Sequence, residues 1–403
     1  MSTKNKVQKL HEAISMTTRK KASAIALFAI FSGFCAQAQP PASPPHAVEN
    51  RSVALQDLIQ KEMAAGGIPG LQLAVVQKGA LVFSGEYGES NTAAAKAVTK
   101  ETLFTTNSIS KAFAGVAAMQ LVEAGKLDLD APITQYLEGL PADWAPVTTR
   151  QLLTHMSGLP DIIDDNTRLL DGASPDQAWE KVQKLPMKFP PGAQYSYSQT
   201  GYVVLGKIIG RVAGQPFADF VRERQFNVAK MKSTRLGKGT DGGPNLAALY
   251  THLTLRVEDM KTVGAVREKL PYERHEAWPD YVYPAGGVQA TATDLAAWVM
   301  ALQARRLVGK ESLDQLWKPQ ALKDGSYRGF SKTINGYGLG WPVVRRSVHP
   351  AVAPVGGARA ALFIYPNDDL TVIVLTNLMG ASPEKFVDKI ASIYVPGLAD
   401  AVK

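Results

Sequence analysis

Apolar residues cluster in two strand-like patterns that lie far apart in the chain. Near the beginning, Gly70-Leu-Gln-Leu-Ala-Val-Val76 and Ala80-Leu-Val-Phe83 flank Lys78-Gly79, which predicts a β-hairpin closed by a glycine turn. Near the end, Ala360-Ala-Leu-Phe-Ile-Tyr365 and Leu370-Thr-Val-Ile-Val-Leu375 flank Pro366-Asn-Asp-Asp369. These two runs are apolar at almost every position, the pattern of strands buried on both faces. Helical spacing marks other segments. A short amphipathic helix is expected over 53–65, and a second runs from about Ser108 to a stop at Gly125. Ser174-Pro-Asp-Gln177 is a capping box with proline at the first helical position. Residues 200–212 and 217–225 read as helices, Thr293-Asp-Leu-Ala-Ala-Trp298 opens another, and 383–394 closes the chain behind Ser382 as N-cap. The stretch 237–283 carries no clear period. Strands at both ends with helices between predict an α+β fold, in which the terminal strands share one sheet and residues 126–345 form a mostly helical insert. No internal repeat is visible.

Composition changes this picture mainly at the N-terminus. The 403 residues are 45% hydrophobic and 20% charged, ordinary for a globular protein with a substantial core. Arg19-Lys20-Lys21, an apolar run over 22–34 and Ala36-Gln-Ala38 resemble a signal peptide, with Met16 a plausible true start and Gln39 the first mature residue. The apolar run is short for a membrane span, and Phe34 before Cys35 is too bulky for a lipoprotein site. Gln39-Pro-Pro-Ala-Ser-Pro-Pro45 opens a proline-rich spacer over 39–50, and residues 51–403 form the folded domain. Cys35 is the single cysteine, so cleavage leaves a chain with no thiol nucleophile and no disulfide, suited to a periplasmic or secreted location. The formal charge of +8 is mostly leader: beyond residue 38 there are 38 basic and 35 acidic residues. With no later basic run, a nucleic-acid partner is not indicated, nor is a stable membrane anchor once the leader is removed.

The chemistry starts at Phe104-Thr-Thr-Asn-Ser108-Ile-Ser-Lys111. A serine hydroxyl needs a neighbouring base to become a nucleophile. Positions i and i+3 share a helix face, so the Lys111 amine can reach the Ser108 hydroxyl. A lysine among Ala112, Phe113 and Gly115 is expected to be buried and therefore partly neutral near pH 7. The spacing alone is weak: Ser382-Pro-Glu-Lys385 repeats it at a plain helix start. A Ser-His-Asp alternative, with His155 and either Asp161 or Asp164, lacks a Gly-x-Ser-x-Gly elbow. The scattered histidines and the absence of His-Glu-x-x-His point away from a metal, and no glycine-rich phosphate loop or other cofactor signature is present.

Further segments follow in order: Gly125-Lys-Leu-Asp-Leu-Asp130, Gln151-Leu-Leu-Thr-His155-Met-Ser157-Gly158-Leu-Pro160, Tyr195-Ser-Tyr197-Ser198-Gln199-Thr-Gly201-Tyr202, Pro284-Ala-Gly286-Gly287, Gly336-Tyr-Gly-Leu-Gly-Trp341 and Val355-Gly356-Gly357. Together they resemble the serine beta-lactamase and penicillin-binding-protein superfamily, closest to the class C beta-lactamase-like branch that includes the family VIII esterases. The resemblance implies an antiparallel sheet flanked by helices, a mostly helical region beside it, and an active site between them. It also implies acylation of Ser108, Lys111 as proton acceptor, Tyr197 as the assisting phenol, and an oxyanion hole built from the backbone N–H groups of Ser108 and Gly357. Gln199 stands where the family usually has asparagine and is assigned, with Gly356, to substrate binding. In the family the His155 position is structural.

One departure bears on substrate. The family usually carries Lys or His two residues before the glycine at position 356, and here that residue is Pro354. His349 and Arg359 are near in sequence. Loss of the cation fits small uncharged esters better than carboxylate-bearing penicillins or peptidoglycan stems. The expected function is therefore a periplasmic serine hydrolase, a carboxylesterase for small esters. The alternatives are a beta-lactamase or D,D-peptidase of the same fold, and a non-hydrolytic cell-wall binding or scaffold protein.

Overall fold

The structure, a computed structural model, describes residues 45–163, 168–170, 174–240, 242–258 and 261–398. The leader 1–38, the first part of the spacer and Asp164 lie outside the described residues. Helix α1 (Pro45–Gly66) begins inside the stretch expected to be spacer. Pro45 permits this because a missing N–H costs nothing in the first turn and its fixed φ suits a helix.

Strands β1 (Gly70–Gln77) and β2 (Ala80–Asn91) make the expected hairpin, with Lys78 and Gly79 at φ +51° and +74° in the turn. A second hairpin, β3 (Tyr250–Glu258) and β4 (Lys261–Glu273), occupies the stretch that showed no period. Its register shifts twice, and Val263, Val266 and Leu270 on it are exposed. β3 alternates over Leu253-Thr-Leu-Arg-Val-Glu258, but β4 has no steadily buried face and no such pattern. Further strands are β5 (Gly336–Tyr337), β6 (Pro342–Val344), β7 (Ala351–Val352), β8 (Val355–Gly356), β9 (Ala360–Tyr365) and β10 (Leu370–Thr376); the short strands Phe104–Thr105, Val288–Ala290 and Arg235–Leu236 form a small sheet of their own.

Apart from the β3–β4 hairpin, the numbered strands pair in one antiparallel sheet ordered β2-β1-β10-β9-β7-β6-β5, with β8 also on β9 and Lys96–Ala97 edging β2. The two ends of the chain meet at its centre, from Leu71 opposite Thr376 to Gln77 opposite Leu370. β5 and β6 enter this sheet from inside 126–345, so the insert is shorter and less helical than its sequence suggested.

Side chains on a strand alternate between faces. Leu71, Leu73 and Val75 join Phe363, Tyr365, Val372 and Val374 in one core, under α1 and the terminal helix at Val387–Ser392. Ala74, Val76, Leu362, Ile364, Ile373 and Leu375 point into the other core, which holds α2 (Ser110–Glu123), α3 (Thr200–Ala213) and α4 (Ala292–Gln303). Each fully buried aliphatic or aromatic side chain contributes about 1.5–3 kcal/mol of transfer free energy. Helix α5 (Val387–Ser392) follows a short 3₁₀ turn at Pro383–Lys385. Ser382 does not cap it as expected: the residue sits at φ +50°, and its N–H is held by the Ala358 carbonyl at 2.9 Å. The capping box at Ser174 is present in both directions. Residues 217–225 are helical but pass through a π turn at Arg222–Phe226.

Helix α2 positions the site. Ser110 to Leu121 are all buried, so this helix has no solvent face. Its small residues let other backbone come close: a Cβ on Gly115 would lie 2.3 Å from the Leu339 carbonyl oxygen.

Candidate active site

Ser108 lies in a 3₁₀ turn, Asn107–Ile109, immediately ahead of α2. Two elements clamp this turn. Thr106 donates from its N–H and its hydroxyl to the Val288 carbonyl, at 3.0 and 2.8 Å, and the Val288 N–H donates to Ser110 Oγ at 2.9 Å. On the other side β8 comes so close that a Cβ on Gly356 would sit 1.9 Å from the Thr106 oxygen and 3.0 Å from the Ser108 nitrogen. Only glycine allows that approach. Asn107 takes φ +46°, an uncommon left-handed conformation that asparagine tolerates.

Lys111 is 0% exposed, yet its amine has three polar neighbours. Nζ is 3.3 Å from Ser108 Oγ, 2.7 Å from Gln199 Oε1 and 2.9 Å from the Ala285 carbonyl. The Tyr197 and Tyr202 ring centroids are 4.8 and 5.1 Å away. Burial disfavours the ammonium and Asp161 favours it, leaving the pKa lowered to about 7. A neutral amine has two N–H donors and one lone pair. The Gln199 amide oxygen and the Ala285 carbonyl can only accept, so they take both donors. The lone pair then faces Ser108, which is the orientation a general base requires.

Tyr197 is the ring of the Tyr195–Tyr202 segment that reaches the nucleophile: its phenol is hydrogen-bonded to Ser108. Burial pushes the phenol above its ordinary value and the bond to Ser108 opposes this. The phenol is therefore neutral, a donor and relay; the nearby lysine does not ionise it. Tyr202 Oη instead donates to the Leu153 carbonyl at 2.8 Å, and Tyr195 Oη is buried without a partner among the described residues.

His155 has no such role. Its Nδ1 accepts from the Ser198 N–H at 3.1 Å, which leaves Nε2 to carry the proton toward Tyr337 Oη, 3.1 Å away. Burial and the nearby Lys111 hold its pKa well below the ordinary range, so it is neutral. Its carbonyl accepts from Ser196 and its ring lies 4.2 Å from that of Tyr197. The histidine thus fixes the loop that carries Tyr197. Asp161, the other member of the rejected triad, accepts from the N–H of Gln199 at 3.0 Å and of Thr200 at 3.4 Å. It anchors the start of α3 and aims Gln199 at Lys111. The sequence pointed to Asp161 for the wrong reaction, and nothing in it marked the Ala285 carbonyl beyond the Pro284–Gly287 motif.

Gly357, at φ +56°, follows β8 beside Ser108, so the two nitrogens proposed as oxyanion donors belong to abutting segments. Pro354 contributes its carbonyl to the Leu362 N–H and offers no cation. Neither nearby cation takes its place at the surface of the site. His349 is bound to Asp368 at 2.8 Å, and Arg359 is 0% exposed beneath the turn. Phe330, 40% exposed, packs edge-on against Tyr197 with centroids 5.1 Å apart and forms part of the approach to it. Among the described residues no cluster of acidic, histidine or cysteine side chains could hold a metal, and no helix is long and apolar enough to cross a membrane.

Residues 55–393 match the Beta-lactamase family. Among curated proteins, the chain is 29% identical over 244 residues to a putative penicillin-binding protein PbpX of Bacillus subtilis, covering 60% of this chain and 54% of that protein. It is 30% identical over 268 residues to a D-aminopeptidase of Brucella canis, covering 64% and 47%. The chain thus spans about half the length of these curated relatives. Among solved structures, the D-amino acid amidase of Ochrobactrum anthropi SV3 superposes with a TM-score of 0.70 at 22% identity, over 87% of this chain and 100% of that one. EstCE1, described as a hydrolase with promiscuous acyltransferase activity, gives 0.68 at 20% identity, over 86% and 98%. At such identities these two likenesses establish the fold. With the family match over most of its length, this chain belongs to the beta-lactamase family, within the serine-hydrolase superfamily that also contains the penicillin-binding proteins.

Proposed function

We propose that this protein is a periplasmic or secreted serine hydrolase that works through an acyl-enzyme on Ser108, with small carboxylic esters as its preferred substrates. The observation that carries the reading is the buried Lys111 amine, 3.3 Å from Ser108 Oγ, with a pKa near 7 and both of its neutral-state donors occupied. Lys111 takes the Ser108 proton as Oγ attacks the ester carbonyl. The oxyanion forms between the Ser108 and Gly357 N–H groups, an arrangement that typically lowers the barrier by a few kcal/mol. The tetrahedral intermediate collapses, its C–O bond to the alcohol breaks, and the proton returns to the leaving oxygen through Lys111 and Tyr197. Water then enters by the same route in reverse and releases the acid.

Pro354 at the third motif, and the engagement of His349 and Arg359 elsewhere, favour an uncharged acyl substrate. The names of the relatives favour a second reading, hydrolysis of beta-lactams or D-amino-acid peptides on the same machinery. The deciding experiment compares p-nitrophenyl butyrate, nitrocefin and a D-alanyl-D-alanine peptide as substrates for the protein and its Ser108→Ala variant. Ester turnover that is fastest and vanishes in the variant supports the proposal. Faster nitrocefin or peptide turnover replaces the substrate class, and turnover that survives in the variant refutes the mechanism.

A further inference from the structure

Arg359 has no solvent exposure, and a guanidinium cannot shed its charge. Its Nη2 donates to Glu276 Oε2 at 2.7 Å and also to Asn107 Oδ1. Glu276 is itself 5% exposed. A buried ion pair of this kind is a poor stabilising device, because well-packed apolar residues usually serve stability as well or better. Its location suggests another use. Asn107 is the residue before Ser108 and is held at φ +46°. The polar atoms nearest to where a Gly357 Cβ would stand are Asn107 Nδ2, at 3.0 Å, and Arg359 Nε, at 3.2 Å. The Asn107 amide and the guanidinium therefore lie together under Gly357, and the amide belongs to the residue that leads into Ser108. The segments that carry both backbone donors assigned to the oxyanion thus abut this one side-chain pair. Arg359 is in turn fixed by the sheet: its N–H donates to the Gly356 carbonyl at 3.0 Å, and its carbonyl accepts from the Thr376 N–H at 2.9 Å.

We propose that Arg359, anchored by Glu276, is a positioning residue that holds the left-handed Asn107 turn and so aligns the Ser108 and Gly357 N–H groups for the oxyanion. It touches no substrate. Misplacing a reacting group by about 1 Å is enough to cost about 100-fold in rate. The inference rests on Ser108 being the nucleophile.

The test uses Arg359→Met/Glu276→Gln, which removes both charges of the pair and keeps an amide oxygen for Arg274, whose Nε lies 3.7 Å from Glu276 Oε1, together with Asn107→Gly, which keeps the backbone turn accessible but deletes the amide that Arg359 holds. Arg359→Lys is the conservative rescue. Thermal midpoint, kcat and KM are measured with p-nitrophenyl butyrate beside Ser108→Ala. The expected result is a folded double variant with kcat lowered about 10- to 100-fold and KM within about twofold. Asn107→Gly loses a similar factor, combining the changes adds little more, and Arg359→Lys recovers part of kcat. If Arg359→Met/Glu276→Gln does not fold, Asn107→Gly carries the test alone. Wild-type kcat in either folded variant, or losses that multiply when combined, overturns the inference while Ser108-dependent turnover stands. Turnover that survives Ser108→Ala overturns both this inference and the reading it rests on.

Discussion

The Gln199 amide oxygen lies 2.7 Å from Lys111 Nζ, closer than any other hydrogen-bonding neighbour of that amine. The longer amide side chain at this position is thus turned inward to the base. Gln199→Glu places a carboxylate against the amine and stabilises its charged form. The Lys111 pKa rises from about 7, and the acid limb of kcat/KM moves upward by about one pH unit or more. Gln199→Leu removes one acceptor and lowers kcat/KM about tenfold, the equivalent of one hydrogen bond to an ionisable group. A pH–rate profile for each variant checks both statements.

Lys111 should cost stability as well as supply activity. Its folded pKa of about 7 lies below the ordinary 10.5 of the unfolded chain. Between these values the unfolded state binds more protons, so this group makes the protein more stable as pH rises from 7 toward 10.5 and imposes its full penalty below 7. Lys111→Met is expected to reduce kcat/KM by about 100-fold or more. The same variant should be more stable than the wild type at pH 6, by an amount on the order of a few kcal/mol that shrinks toward pH 10. Denaturant unfolding of both proteins across that range gives the comparison.

Tyr195 and Tyr197 should separate cleanly. Tyr197→Phe removes the phenol bonded to Ser108 and should lower kcat about 100-fold. Tyr195→Phe removes a buried hydroxyl that has no partner among the described residues, so activity should stay within about threefold and stability should hold or rise slightly. Steady-state kinetics and thermal midpoints of the two variants decide it.

Gly356→Ala should fail at the fold before it fails at the chemistry. The new methyl would overlap the Thr106 carbonyl oxygen, which the Ile109 N–H holds at 3.3 Å inside the Ser108 turn. Overpacking of this kind costs about 1–3 kcal/mol or more. The expected outcome is a lower thermal midpoint together with loss of activity, measured on the same sample.

What the sequence disclosed follows from how local each interaction is. Ser108 and Lys111 were legible because three residues of helix bring them together. Strands β1, β9 and β10 were legible because burial on both faces leaves a dense apolar run, and these three lie side by side in the sheet; β2 is half-buried or exposed over most of its length and was marked instead by the Lys78-Gly79 turn. The Ala285 carbonyl reaches Lys111 across 174 residues, and Arg359 reaches Asn107 across 252; no spacing rule encodes such contacts. The His155 tautomer became fixed only when Ser198 and Tyr337 were placed around its ring. The β3–β4 hairpin escaped although Leu253-Thr-Leu-Arg-Val-Glu258 alternates, because β4, with two register shifts against β3 and exposed Val263, Val266 and Leu270, carries no matching period.

The central claim is a covalent acyl group on Ser108 formed with the help of neutral Lys111. Rapid mixing with p-nitrophenyl butyrate, acid quenching in the first turnover and peptide mass spectrometry test it directly. The account predicts one butyryl group on the peptide that contains Ser108, accumulating faster at pH 8 than at pH 6 and absent from Ser108→Ala. A butyryl group on any other residue, or ester turnover with Ser108 unmodified and dispensable, would contradict it.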